Sequence, residues 1–318
     1  MCQPVLLETS PRRVDPPVHT GSSPTDPGTK IGTTMNRVSQ IWLDKVIGFE
    51  GSTRSVALMR ILLAILLWTR WAAEVLPWRS MDPKRLALSA AFFTFTTMMF
   101  YGWFTRIAMF GSAITMLFIY YYFGFIEGVE PWTHHHTYLL VISTCLLALT
   151  PCGKSYSVDR YLAVRRAERN HTPVPAEHGA LWGMRLIAIQ VSALYLWAAF
   201  DKSFGGFLSG ERLEQIFMYL FFGSDYPSLW GFHWFCLCAA WLTVLLEYTL
   251  PFALWFKSMQ RWAIPVGLSL HALFYVMTSV GTYSLTMWML YLAFLDPNSV
   301  HRFINKLQGI KNRKQEAS

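Results

Sequence analysis

Several ionisable residues stand where the surrounding sequence is apolar. Lys202 closes a long apolar run that begins at Ala180, and it precedes a glycine-broken segment holding Gly205, Gly206 and Gly210. A lysine so placed is either an interfacial anchor whose ammonium snorkels into the headgroups or, once desolvation disfavours its charged form, a base. Tyr195, seven residues earlier, falls on the same helical face, where its hydroxyl would position an aromatic ring; Gln190 lies lower in the same run. The loop from Glu127 to His136 holds Trp132 and the consecutive imidazoles His134, His135 and His136, with Glu127 and Glu130 near enough to orient one of them. Successive helical positions point about 100° apart, so these three do not grip one ion, and no metal is expected. One histidine facing the interior as a hydrogen-bonding or acid–base group fits better. His271 sits about 13 Å along its helix from Trp262, deep in an apolar run. Arg60 and Glu247 are also deep and opposite in sign, and a structural ion pair between them is the expectation.

Such residues need apolar helices to hold them. The 318 residues are 53% hydrophobic, 16% aromatic and only 14% charged, well below the charge of a soluble domain. The fold class is therefore all-α, a polytopic membrane bundle of about eight transmembrane helices with added interfacial helices. Apolar runs at about 55–78, 85–104, 107–125, 136–151, 180–200, 231–256, 262–280 and 283–295 supply the spans. A short amphipathic stretch at Ile41–Phe49 precedes them and reads as interfacial. The net charge of +8 is explained by basic loops and anionic lipid, so no nucleic acid is expected. Lys and Arg crowd into both terminal segments and the loop from Lys154 to Arg169, which places both termini in the cytoplasm. The histidine loop and Lys202 then share the non-cytoplasmic side. Residues 1–38, rich in Pro, Ser, Thr and Gly, read as a disordered cytoplasmic tail, 39–298 as the transmembrane domain, and 299–318 as a basic cytoplasmic tail.

In order along the chain stand Arg60-Ile61-Leu62 in the first span, then His136-Thr137-Tyr138-Leu139 opening the fourth and closing on Ser157-Val158-Asp159. Gln190, Tyr195, Lys202 and Gly210-Glu211 follow, and finally His271 with Gly281-Thr282-Tyr283. This ordered set resembles the HTTM (horizontally transferred transmembrane) domain, the membrane domain shared with vitamin K-dependent gamma-carboxylase, over roughly residues 40–297. The resemblance implies a membrane enzyme with Lys202 as base and His136 as assisting group, acting on a reduced quinone of the vitamin K type with oxygen as co-substrate. His135 stands where the carboxylase has asparagine, so it is the alternative assistant. Trp132, Gln190, Tyr195 and His271 become candidate substrate-binding residues; Arg60, Glu247 and Asp159 become structural ones. The carboxylase continues into a large luminal domain, whereas only a short basic tail follows Pro297 here, so glutamate carboxylation itself is not expected. Expected partners are membrane lipids, a lipid-soluble small molecule and a candidate peptide substrate. The alternative from the same resemblance is a non-catalytic accessory in peptide maturation or export.

Overall fold

In a computed structural model the chain is described over residues 47–76, 82–128, 135–204, 206–223, 230–278 and 281–309, all within one compact unit that runs from Leu43 to Ser318. The stretch Ile41–Phe49 lies mostly outside these residues, as does the whole of 1–38. The architecture is nearly all-α. Helix α1 runs Arg54–Val75, α2 Pro83–Tyr101, α3 Thr105–Tyr121, α4 His135–Ala148 and α5 Val158–Arg169. Then come α6 Trp182–Ser203, α7 Glu211–Phe217, α8 Trp230–Ala253, α9 Lys257–Thr278, α10 Gly281–Leu290 and α11 Pro297–Leu307. Among the described residues, the one β element is an antiparallel ribbon of β1, Glu50–Ser52, and β2, His178–Ala180, with Gly51 opposite Gly179. Among the described residues, four helical stretches are long and apolar enough to cross a membrane: Arg54–Val75, Thr105–Ile126, Trp182–Ser203 and Gly231–Ala253.

The boundaries follow local chemistry. Asp82 accepts from the Lys84 N–H at 3.1 Å and Pro83 opens α2, while Ser157 accepts from the Arg160 N–H at 2.9 Å and opens α5. Gly102 ends α2 in the left-handed region at φ +67°. An added Cβ there would lie 2.4 Å from the Ser157 Cβ and 2.7 Å from Arg60 Nη1, so no side chain fits. Asp159 then starts α3: its oxygens accept from the N–H groups of Phe104 and Thr105 at 2.9 and 2.7 Å, and from the Thr105 hydroxyl at 2.7 Å. Its structural role is thus a helix cap supplied from another helix.

Arg60 overturns one sequence expectation. Its guanidinium donates to the carbonyls of Met99, Phe100 and Tyr156, the last at 2.7 Å, and does not meet Glu247. Met99 and Phe100 lie in the last turn of α2, where the Met99 carbonyl accepts from the capping Gly102 N–H at 3.2 Å and the Phe100 carbonyl has no partner within the helix. A fully buried guanidinium satisfies them and ties α1 to α2 and to the loop before α5. The sequence showed the opposite charges and not the carbonyls, which are the nearer acceptors.

Residues expected to form only a basic tail are helical as far as Leu307. Asp296 accepts from the Ser299 N–H at 3.0 Å and Pro297 opens the helix. Arg54 donates to Asn305 Oδ1 at 2.5 Å and to Glu177 Oε2 at 2.8 Å, which joins the start of α1 to α11 and to the segment leading into β2.

Replacing Arg60 by Met takes the guanidinium donor from the Phe100 and Tyr156 carbonyls and leaves Met99 with the Gly102 N–H alone. Thermal unfolding in detergent should show a loss of about 3 kcal/mol, and Arg60→Lys should not recover it, because one ammonium does not reach three carbonyls in fork geometry.

Candidate functional site in the membrane domain

Lys202 sits in the last turn of α6, and its Nζ lies 2.7 and 2.8 Å from the two carboxylate oxygens of Glu247 on α8. The carboxylate is 4% exposed and the lysine side chain 25%. Beside them the Ser203 and Tyr248 hydroxyls are 3.1 Å apart, so two successive residue pairs lock α6 to α8. From Glu247, α8 continues for about 25 Å back to its own start, and Gly210 at φ +83° lets the start of α7 press on that overhang, where an added Cβ would lie 2.7 Å from the Leu237 backbone nitrogen. Phe217 of α7 packs near Phe232 and Phe235 of α8 at 6.0 and 6.1 Å, and Glu214 Oε1 accepts from His233 Nδ1 at 2.9 Å.

The outcome is a cavity of about 840 Å³ with the ion pair in its wall. Trp197, Phe204, Phe207, Phe274 and Tyr283 supply aromatic surface, and Arg212 and Glu211 stand among the lining residues from α7. The ammonium also lies 5.8 Å over the Phe207 ring, a cation–π contact.

Behind Phe274 and Tyr283 is a second polar group. Both rings pack edge-on to the His271 imidazole, at 5.8 and 5.6 Å. His271 Nε2 is 2.6 Å from the Tyr195 hydroxyl, which is 2.7 Å from the Tyr291 hydroxyl. His271 is 1% exposed, and its Nδ1 has no partner among the described residues. Gly267 makes room for this chain, since a Cβ on it would fall 1.8 Å from the Tyr291 oxygen. Lys202 lies within Coulomb reach of His271, and Glu247 of Tyr283 and Tyr195, so the two polar groups form one neighbourhood.

The structure thus brings together Lys202, Tyr195, His271 and Glu247. Tyr195 does share the Lys202 side of α6, but one layer inward, where it holds the imidazole and does not line the cavity. Gln190 stands about 18 Å down the helix from Lys202 and is not a lining residue. Trp132 and His134 lie outside the described residues, as do the side chains of His135 and His136. The helix they open is described: Gly183 near the start of α6 abuts the Leu146 carbonyl and Thr150 near the end of α4. The two helices are therefore antiparallel, which puts His136 about 15 Å and Lys202 about 28 Å from that contact, at the same end. Glu127, expected to orient one of these histidines, binds Arg85 through both oxygens. Glu247 and Tyr291 are the site residues that sequence reasoning misplaced or missed; the one signal was a lone acid in an apolar helix with no charge at i±3 or i±4.

The HTTM domain family matches residues 79–298, more than half of the chain. The chain belongs to the HTTM domain family. Neither a curated protein nor a solved structure matches it. In this HTTM protein the matched region holds Lys202, Glu247, His271 and the second polar group complete.

Two measurements probe the geometry. In a double-mutant cycle, Lys202→Met or Glu247→Leu alone should lower stability by about 2 kcal/mol, less than a fully buried pair because the lysine is partly exposed, and the double variant should recover most of it. Gly267→Ala should displace the whole Tyr291 ring, since a Cβ would also lie 2.6 and 2.9 Å from its Cζ and Cε1; a loss of about 1–3 kcal/mol in thermal unfolding is expected, relieved only in part when Tyr291→Phe is added.

Proposed function

We propose that this HTTM protein is a multi-pass membrane enzyme that binds a lipid-soluble, ring-bearing substrate of the reduced-quinone class and starts its chemistry by removing a proton with Lys202. The observation that carries the reading is the Lys202–Glu247 pair standing in the wall of an aromatic cavity inside a bundle of apolar helices. A cavity of about 840 Å³ is within the usual range for small-molecule sites. It accommodates a fused ring and the first part of an isoprenoid tail against Trp197, Phe204 and Phe274. A ring hydroxyl supplies the acidic proton, and oxygen is the proposed co-substrate.

The pairing gives Lys202 a route to its free-base form. In this reading the proton passes from Lys202 to Glu247 across their 2.7 Å hydrogen bond, a transfer made less costly by low-dielectric surroundings, which narrow the gap between an ion pair and a neutral amine–acid pair. With the proton on Glu247, the amine accepts from the ring hydroxyl, and Glu247 holds the proton until it returns to solvent. His136, or His135 beside it, is the proposed assisting group, because its helix opens at the end of the bundle where α6 closes. Tyr195 and His271 act behind the cavity wall.

The reading includes a topology. Helices α2, α4, α9 and α10 complete eight passes with the four long apolar helices, both termini are cytoplasmic, and the cavity belongs to the non-cytoplasmic half. Purified protein supplied with a reduced naphthoquinone should consume oxygen, and Lys202→Ala should lower that rate about 100-fold or more while the fold persists. Unchanged turnover in the folded variant would exclude Lys202 as base. A protein that carries no quinone after lipid extraction and co-purifies with a peptide would favour the accessory role instead.

A further inference from the structure

Helix α11 carries a surface that the site does not use. Pro297, His301 and Asn305, four residues apart, face the protein: His301 Nδ1 is 2.9 Å from the Ser52 hydroxyl, and Asn305 accepts from Arg54. These anchors fix the level of the helix, since Arg54 opens α1, one of the four helices able to cross a bilayer. A helix pinned to the first residue of a span lies at the membrane surface.

The rest of α11 is divided lengthwise. Val300, Phe303, Ile304 and Leu307 form an apolar stripe beside the anchored face, with Phe303 62% and Leu307 71% exposed. Arg302 and Lys306 occupy the remaining arc and are exposed. The neighbouring turn continues the pattern. Gln260 donates to the Phe294 carbonyl at 3.0 Å, and Lys257 lies within Coulomb reach of Asp296. The start of α9, with Arg261 beside an exposed Trp262, is thereby held next to the start of α11. Apolar side chains and cations alternate at one depth, the composition that suits the boundary between acyl chains and acidic headgroups.

We propose that α11, with the start of α9, is an interfacial platform that binds anionic lipid headgroups, its stripe sunk into the acyl boundary and Lys306, Arg302 and Arg261 facing lipid phosphates. Charge complementarity selects the occupant: Arg302 has Asp296 at 3.9 Å, whereas a neutral bilayer satisfies the stripe and offers Lys306 and Arg261 no counter-charge. Each cation at such a surface favours acidic over neutral lipid on the order of fivefold. The inference is independent of the chemistry proposed at Lys202.

Hydrogen exchange of the full chain in nanodiscs tests it, with phosphatidylcholine alone compared with phosphatidylcholine plus phosphatidylglycerol. Amides of 300–307 should exchange several-fold more slowly with phosphatidylglycerol present, and high salt should reduce the difference. Lys306→Gln, which leaves the Asp296–Ser299–Arg302 hydrogen bonds untouched, should lose part of that protection, and Lys306→Gln with Arg261→Gln most of it, while α1 exchanges as in wild type. Equal exchange in the two lipids overturns the proposal and reduces α11 to a helix held by protein contacts and apolar insertion alone; a lipid effect that survives the double substitution overturns it as well, because the acidic lipid then acts elsewhere than on these cations.

Discussion

A charge in an apolar helical bundle needs a counter-charge or a full set of hydrogen bonds, and the Lys202–Glu247 pair meets that need in a way that fixes much of the fold around it. Without the carboxylate, the ammonium would have to reach water along its own stem. With it, α6 can stop well short of the start of α8, and the overhang of α8 becomes a surface that α7 covers. The Ser203–Tyr248 contact one residue on reinforces that register, and the glycine at 210 permits the close approach of α7. The cavity is the space left between these elements, so the pair and the pocket have the same origin.

The molecule handles its other buried polar groups by different means. Arg60 donates to carbonyls, with Asp159 only within Coulomb reach: it completes the carbonyl end of α2, a use of a guanidinium for its fixed donors more than for its charge. Asp159 does the converse for the amide end of α3. These two residues, with Gly102 between them in space, hold the entry and exit of neighbouring spans together, which is a stabilising task. The Tyr195–His271–Tyr291 chain is unlike either, because it stands directly behind two rings of the cavity wall.

How much of this the sequence disclosed follows from the range of each interaction. Apolar run length located the helices within a few residues, as at Arg54–Val75 and Trp182–Ser203, because that signal is local. The seven-residue spacing of Tyr195 and Lys202 gave their shared helical side, and the depth of His271 was legible from its apolar surroundings. Pairings between helices were not legible. Glu247 could be matched to Arg60 by sign alone, since nothing local records that α8 is displaced along α6 or that α2 ends beside Arg60. Helix α11 was hidden for another reason: basic residues near a terminus read as a tail, while its anchors, Ser52 and Arg54, lie more than two hundred residues earlier.

The central claim is that an ammonium and a carboxylate meet inside the membrane-spanning bundle, under the cover of α7. A cryo-microscopy map of the protein in a lipid nanodisc addresses it most directly, because it shows side chains and the bilayer edges together. The account predicts Lys202 Nζ between the two Glu247 oxygens, at a depth inside the acyl layer, with α7 against the overhang of α8. A map with Lys202 among the headgroups and Glu247 turned toward lipid or toward Arg60 would contradict it.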